Sequence, residues 1–277
     1  MIKVKIFGEG VDMKLLECFF YGLISGLTEI VPVSAVAHRV LLGRLMGIDE
    51  APAAACFLLR LVVMIMLLFC CRHELAQVMA VSRRGRQLRR SADFLLLRTA
   101  AVPLLLGFFL LPRVSGIAGN LPLLSLMLLV NGLILYIPGR MLQGNKRARA
   151  MSPWDGMLMG VLGIAGVVPG ISRVGTLTSV AIGRGADKQQ ALKWALLLSI
   201  PALAVLMVMD LVSLFGGAPG AAFGFVGTLL AAMGAAAGSF AGIRLLRYLA
   251  VKTGFSGLAF YSWGAALFSF VMYLTVV

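Results

Sequence analysis

Six runs of apolar residues divide the chain, near 53–71, 92–112, 121–138, 190–212, 222–243 and 255–276. Each is long enough to cross a bilayer, for which about 20 residues suffice. Such runs admit few folds, because hydrocarbon offers no hydrogen-bond partner and every backbone N–H and C=O must be paired within the chain. They therefore predict membrane-spanning α-helices. The composition agrees: 60% of the 277 residues are hydrophobic and 13% charged, against about 25% charged in soluble domains, which excludes a soluble globular fold. The 32 glycines and 15 methionines suit helices packed closely in lipid. A single integral membrane domain over residues 1–277 is expected.

Two further apolar segments, 15–47 and 153–186, are broken at mid-length. Glu29, Pro32, Ser34 and His38 interrupt the first, and Pro169, Ser172 and Arg173 the second. Each reads as a re-entrant hairpin of two short helices whose irregular turn is buried in protein. Lys3, Lys5 and Lys14 before an apolar run ending in Ser34-Ala35-Val36-Ala37 imitate a secretory leader, but Glu29 and Pro32 interrupt that run and cleavage is not expected. The four cysteines lie in apolar runs without C-x-x-C spacing, so packing is their expected role.

Basic clusters set the orientation. Arg83-Arg84-Gly85-Arg86 with Arg89-Arg90, then Arg140 with Lys146, Arg147 and Arg149, then Arg244, Arg247 and Lys252 join predicted crossings and should be cytoplasmic. The connections 47–52, 113–120 and 213–221 then face outward. On this map the 15–47 hairpin dips from the outer face and the 153–186 hairpin from the cytoplasmic face. Gly26-x-x-x-x-Val31-Pro32 and Gly163-x-x-x-x-Val168-Pro169 also superpose at an offset of 137, the separation of Pro32 and Pro169. An inverted-topology repeat, roughly 13–138 and 150–277, is the expected architecture. In such folds broken helices from the two halves meet near the midplane and form the site.

Ionisable and polar residues inside a membrane are costly and usually functional; those closest to the predicted midplane are Glu29, Ser34, His38, Arg39, Arg60, Ser172 and Arg173. Ser172, Arg173 and Thr176 follow Pro169-Gly170, and a Gly-bounded helix start with hydroxyls and a guanidinium suits a phosphate or pyrophosphate. The alternative is a glycine kink in which Arg173 pairs with Glu29. Glu29, Ser34 and His38 provide a metal-binding or basic carboxylate, a nucleophile and a proton-transfer group, the set required for phosphoester attack. A hydrogen-bonded structural cluster is the competing reading of those three.

The stretch Gly26-Leu27-Thr28-Glu29-Ile30-Val31-Pro32-Val33-Ser34-Ala35-Val36-Ala37-His38 resembles the E-G-L-T-E-x-x-P-V-S-S-T-G-H motif of the BacA-type undecaprenyl pyrophosphate phosphatases. Pro169-Gly170-Ile171-Ser172-Arg173-Val174-Gly175-Thr176 is similar to that family's P-G-x-S-R-S-G-A-T motif. The resemblance implies an interlocked inverted repeat of ten helical segments, counting four hairpin halves, with a pocket open to the outer face. It also implies removal of the terminal phosphate of a lipid carrier used in bacterial wall synthesis, with a divalent cation, Mg²⁺ or Ca²⁺, held in part by Glu29. The departures from the motifs are Ser25 for the first Glu, Ala35 for the second Ser of the pair and Val174 for the last Ser; Ala54 and Leu58 stand where an acid and a Gln are usual, with Arg60 nearby. Ser34 or His38 would then have to attack.

Two functions are therefore expected in competition, with a membrane scaffold that takes no small ligand as the plain alternative. One is a hydrolase of undecaprenyl pyrophosphate in the bacterial cytoplasmic (inner) membrane, with Ser172, Arg173 and Thr176 binding phosphate and Glu29, Ser34 and His38 catalytic. The other is a non-hydrolytic polyprenyl-phosphate transporter or flippase on the same scaffold. The net charge of +14 does not indicate nucleic acid, because its clusters lie in short loops where they orient spans and meet anionic headgroups.

Overall fold

The computed structural model describes residues 11–47, 53–83, 92–141, 144, 151–216 and 223–276. Most of the expected loops, including 84–90 and 145–150 with their basic clusters and 48–52 and 217–221 opposite, lie outside the described residues. The regular elements described are all helical. α1 (Val11–Ile30) and α2 (Ala35–Met46) flank the first interruption; α3 (Ala53–Cys70), α4 (Arg72–Arg83), α5 (Ala92–Leu106), α6 (Leu111–Val114) and α7 (Leu121–Arg140) follow. α8 (Pro153–Gly163) and α9 (Arg173–Gly183) flank the second interruption, and α10 (Lys188–Phe215), α11 (Phe225–Lys252) and α12 (Ser256–Val276) complete the chain.

Among the described residues, six helices are long and apolar enough to cross a membrane: 53–70, 93–119, 121–140, 188–215, 225–252 and 256–275. They coincide with the six runs read from the sequence, and the chain is a polytopic all-α membrane protein. One span is longer than expected, because 3-10 turns on both sides of α6 carry α5 onward to Gly119. The 12 residues of α2 and 11 of α9 rise about 18 and 16 Å at 1.5 Å per residue, too little to cross about 30 Å of hydrocarbon.

The limbs of the second hairpin return to one end of the bundle, where Arg184 after α9 pairs with Asp155 in the first turn of α8 at 2.6 Å. That end also holds the Arg247–Glu74 pair and the hydrogen bonds from Gln190 and Trp194 to Asp93. The first hairpin returns to the other end, where Arg44 of α2 donates to the Gly119 carbonyl at 3.0 Å. The two hairpins therefore enter from opposite ends.

Small residues set how close the helices approach. Gly22 and Gly26 of α1 lie against the α11 backbone at Ala231 and Ala235, and Gly234 and Gly238 of α11 against Phe19 and Leu23 of α1. A Cβ at any of these glycines would meet backbone rather than a movable side chain, which is how small residues bring membrane helices together where lipid removes the hydrophobic drive. α8 packs on α5 by the same device, Gly156 and Gly160 against Leu96 and Ala100. Leu67, Leu104, Leu177, Leu198 and Leu203 fill the core between α3, α5, α9 and α10.

Candidate functional site

Both interruptions end at a helix start, and there the chemistry collects. α1 stops at Ile30, one residue after Glu29, because Pro32 lacks the N–H that would continue the ladder. Val31 and Val33 then lead to Ser34, the sole described non-glycine residue with positive φ, at 70°. That conformation is costly for an L residue, and the hydrogen bond that Ser34 Oγ accepts from the Gly170 N–H of the opposing turn, at 3.1 Å, helps to hold it. The second turn reaches Ser172, whose Oγ caps α9 by accepting from the Gly175 N–H at 3.2 Å. Thr176 Oγ1 donates to the Ser172 carbonyl at 2.8 Å.

The two turns thus touch tip to tip, and Asn131 of α7 joins them. Its Nδ2 donates to the Pro32 carbonyl at 3.1 Å and to Ser262 Oγ at 3.0 Å, while its Oδ1 accepts from the Ser172 N–H at 2.9 Å. Gly175 sits against Pro32, where a Cβ would come 2.9 Å from the proline Cβ.

Electrostatically the centre is one carboxylate between two guanidinium groups. Arg39 Nη1 donates to Glu29 Oε2 at 3.0 Å, and Arg173 Nη2 donates to Oε1 at 3.4 Å, with Arg173 Nε also directed at Ser199 Oγ. The Arg173–Glu29 pairing weighed from the sequence as the plain reading is therefore present. It coexists with a helix start: the N–H groups of Arg173 and Val174 take no partner among the described residues, as expected for the first turn of a helix. His38, one turn into α2, contacts the Ser34 carbonyl through Nδ1 at 2.8 Å and the Tyr261 hydroxyl through Nε2 at 2.9 Å. A carbonyl only accepts, so Nδ1 carries the proton and Nε2 the lone pair.

All six expected site residues, Glu29, Ser34, His38, Ser172, Arg173 and Thr176, are buried at these two turns, none more than 9% exposed. The arrangement is closed, in contrast to the open outer pocket that the resemblance implied. The expected role of Glu29 as a metal ligand finds no support in this arrangement. Both its oxygens face guanidinium groups, Asp210 pairs with Arg60, and no group of three or more His, Cys, Asp and Glu side chains that could hold a metal ion occurs among the described residues. The donor set does not fit a resident divalent cation.

Sequence reasoning passed over Asn131, Asp210 and Tyr261. The first two are lone polar residues inside apolar runs, a signal that could have found them. Tyr261 gives no such signal, since tyrosine is common in membrane helices and its partner lies on α2.

The sequence matches known proteins over most of its length. The family model described as bacitracin resistance protein BacA matches residues 18–268. Undecaprenyl-diphosphatase 1 of Shouchella clausii is 30% identical over 222 residues, covering 73% of this chain and 76% of the relative. Undecaprenyl-diphosphatase of Myxococcus xanthus is 31% identical over 251 residues, 87% of this chain and 83% of the relative. Undecaprenyl-diphosphatase 3 of Frankia alni is 30% identical over 265 residues, 87% and 89% respectively.

Proposed function

The chain belongs to the family of bacitracin resistance protein BacA, and from that premise we propose that it is a membrane hydrolase removing the terminal phosphate of undecaprenyl pyrophosphate, in the bacterial cytoplasmic membrane. The observation that carries the reading is the meeting of the two turns: Ser34 Oγ against the Gly170 N–H and Arg173 against Glu29. One turn supplies a hydroxyl and an imidazole, the other an anion grip. The flippase alternative is not favoured, because the relatives that match most of the chain are named as diphosphatases.

In the mechanism we propose, Arg173, the open N–H groups at the start of α9 and the Ser172 hydroxyl hold the terminal phosphate, joined by Thr176 once its hydroxyl turns from the Ser172 carbonyl. The oxygen of Ser34 attacks its phosphorus while the hydroxyl proton passes to Nε2 of His38, which must first turn from the Tyr261 hydroxyl that it contacts at rest, and the bond to the bridging oxygen breaks. The lipid monophosphate departs with that electron pair. Water then attacks the phosphoserine, giving a proton to the emerging inorganic phosphate and restoring Ser34 with the proton from His38. Glu29 is a positioning residue that holds Arg39 and Arg173 together. No step passes through a divalent cation.

The opposed hairpins and the interlocked pairs, α1 on α11 and α8 on α5, support the further proposal of two inverted repeats, 13–138 and 150–277, with the basic end of the bundle cytoplasmic. Incubating purified protein with undecaprenyl pyrophosphate in detergent and assaying inorganic phosphate tests the activity. Release above a protein-free control, abolished in Ser34→Ala, is expected; absence of release from folded wild-type protein refutes it.

A further inference from the structure

Beside the hairpin turns lies a group of buried polar side chains in which Tyr21, Ser25, Arg60 and Asp210 have no part in the mechanism above, and Glu29 and Arg39 only a positioning one. Tyr21, Ser25 and Glu29 recur every four residues along α1 and so share one face. Arg39 of α2, Arg60 of α3 and Asp210 of α10 complete the group. Arg60 pairs with Asp210 through a terminal nitrogen, yet its Nε is buried with no partner among the described residues. The Tyr21 hydroxyl and Ser25 hydroxyl are likewise buried and unpartnered, although the two residues are 1% and 2% exposed. Arg39 and Arg60 both lie within electrostatic reach of Tyr21 and of Glu29.

Three unsatisfied donors in one buried place are unusual, since buried polar groups are nearly always paired. The charges are unbalanced as well: among the described residues, Arg39, Arg60 and Arg173 pair with only two carboxylates, Glu29 and Asp210. A net positive charge away from water is expensive without a counter-ion. One anion with several acceptor oxygens would meet both the charge and the idle donors, and a phosphate has that chemistry.

We infer that Arg39 and Arg60, with the Tyr21 and Ser25 hydroxyls, form a second anion subsite that binds the lipid-linked phosphate of a diphosphate headgroup while Arg173 binds the terminal one. The inference rests on the reading of the hairpin turns as the site of the terminal phosphate. It places on guanidinium groups the charge neutralisation that the carboxylate-poor site leaves no cation to provide. It also makes the protein selective for a diphosphate over a monophosphate.

The test measures binding of undecaprenyl pyrophosphate and undecaprenyl monophosphate to purified protein in nanodiscs. Wild type should prefer the diphosphate by at least about tenfold, the loss expected for one charge-assisted hydrogen bond in a desolvated site. Arg39→Gln should bring that ratio toward one while monophosphate binding through Arg173 persists. Arg60→Gln strands Asp210, so the Arg60→Gln/Asp210→Asn pair is measured alongside it, with monodispersity and thermal midpoint as checks of folding. Inorganic pyrophosphate as competitor separates the sources: competition lost in the same variants means that the free anion also binds, and no competition assigns the subsite to the lipid-borne group. Equal wild-type affinity for the two lipids overturns the inference without any variant, as does an unchanged ratio in the folded variants. Failure of the proposed hydrolysis reads differently: wild type then releases no phosphate, while the preference for diphosphate still depends on Arg39 and Arg60.

Discussion

Replacing Asn131 with leucine tests how the two hairpin turns are held in register. Asn131 is fully buried and makes three hydrogen bonds, to the Pro32 carbonyl, the Ser172 N–H and Ser262 Oγ. Leucine is similar in volume but cannot make any of them. Ser262 can turn to a carbonyl of its own helix, whereas the Pro32 C=O and Ser172 N–H are fixed in irregular backbone and stay unpaired. Each buried, unsatisfied group costs about 1–3 kcal/mol, so a loss of about 2–6 kcal/mol is expected. Asn131→Asp keeps the acceptor for Ser172 and loses the donor to Pro32. Equilibrium unfolding in mixed micelles with a denaturing detergent measures the loss, and phosphate release measures whether the turns still align. Both should fall in Asn131→Leu. A variant within about 0.5 kcal/mol of wild type, the range of an uninvolved surface change, with wild-type turnover, would refute the tie between the hairpins.

Arg173→Ala should lower affinity for the diphosphate lipid at least about tenfold, because a methyl replaces charge-assisted hydrogen bonds; lipid binding in nanodiscs measures it, and wild-type affinity would move the anion site elsewhere. Gly26→Leu should separate α1 from α11, because even a Cβ at Gly26 would strike the Ala235 backbone, and the thermal midpoint in detergent should drop. Gly119→Cys should react with an impermeant maleimide added outside intact cells and Gly183→Cys only after permeabilisation; both positions have open space for the new side chain, and labelling of both from one side would contradict opposed hairpins. Since no cluster of three metal-ligating side chains is found among the described residues, phosphate release should survive chelation with less than about a tenfold loss, under 1.4 kcal/mol in barrier; abolition by EDTA and rescue by Mg²⁺ would show a cation that the donor set does not suggest.

The spans are legible because apolar length is a property of each segment alone: the run 121–138 reappears as Leu121–Arg140 and the run 255–276 as Ser256–Val276. Pro32 and Pro169 likewise announce both breaks, since proline acts on its own backbone. α4 carries no such signal, because Arg72, His73 and Glu74 open it and Gln77, Ser82 and Arg83 keep its remainder from forming an apolar run, although α3 hands its backbone directly to it through Cys71. The clamp on Glu29 is half visible. Its pairing with Arg173 can be weighed from the two motifs, but Arg39, ten residues away, approaches only because the turn at Ser34 reverses the chain. Asp210 and Arg60 are 150 residues apart, and nothing in either run specifies the other; that contact belongs to the packing of α3 on α10.

In the proposed mechanism the site cleaves a phosphoanhydride rather than carrying its lipid intact. Undecaprenyl pyrophosphate labelled in the terminal phosphate and reconstituted with the protein in liposomes tests it directly. The label should pass to inorganic phosphate, one for each lipid monophosphate formed, and Ser34→Ala should stop the transfer. Label that stays on the lipid while the lipid crosses the bilayer would contradict that mechanism.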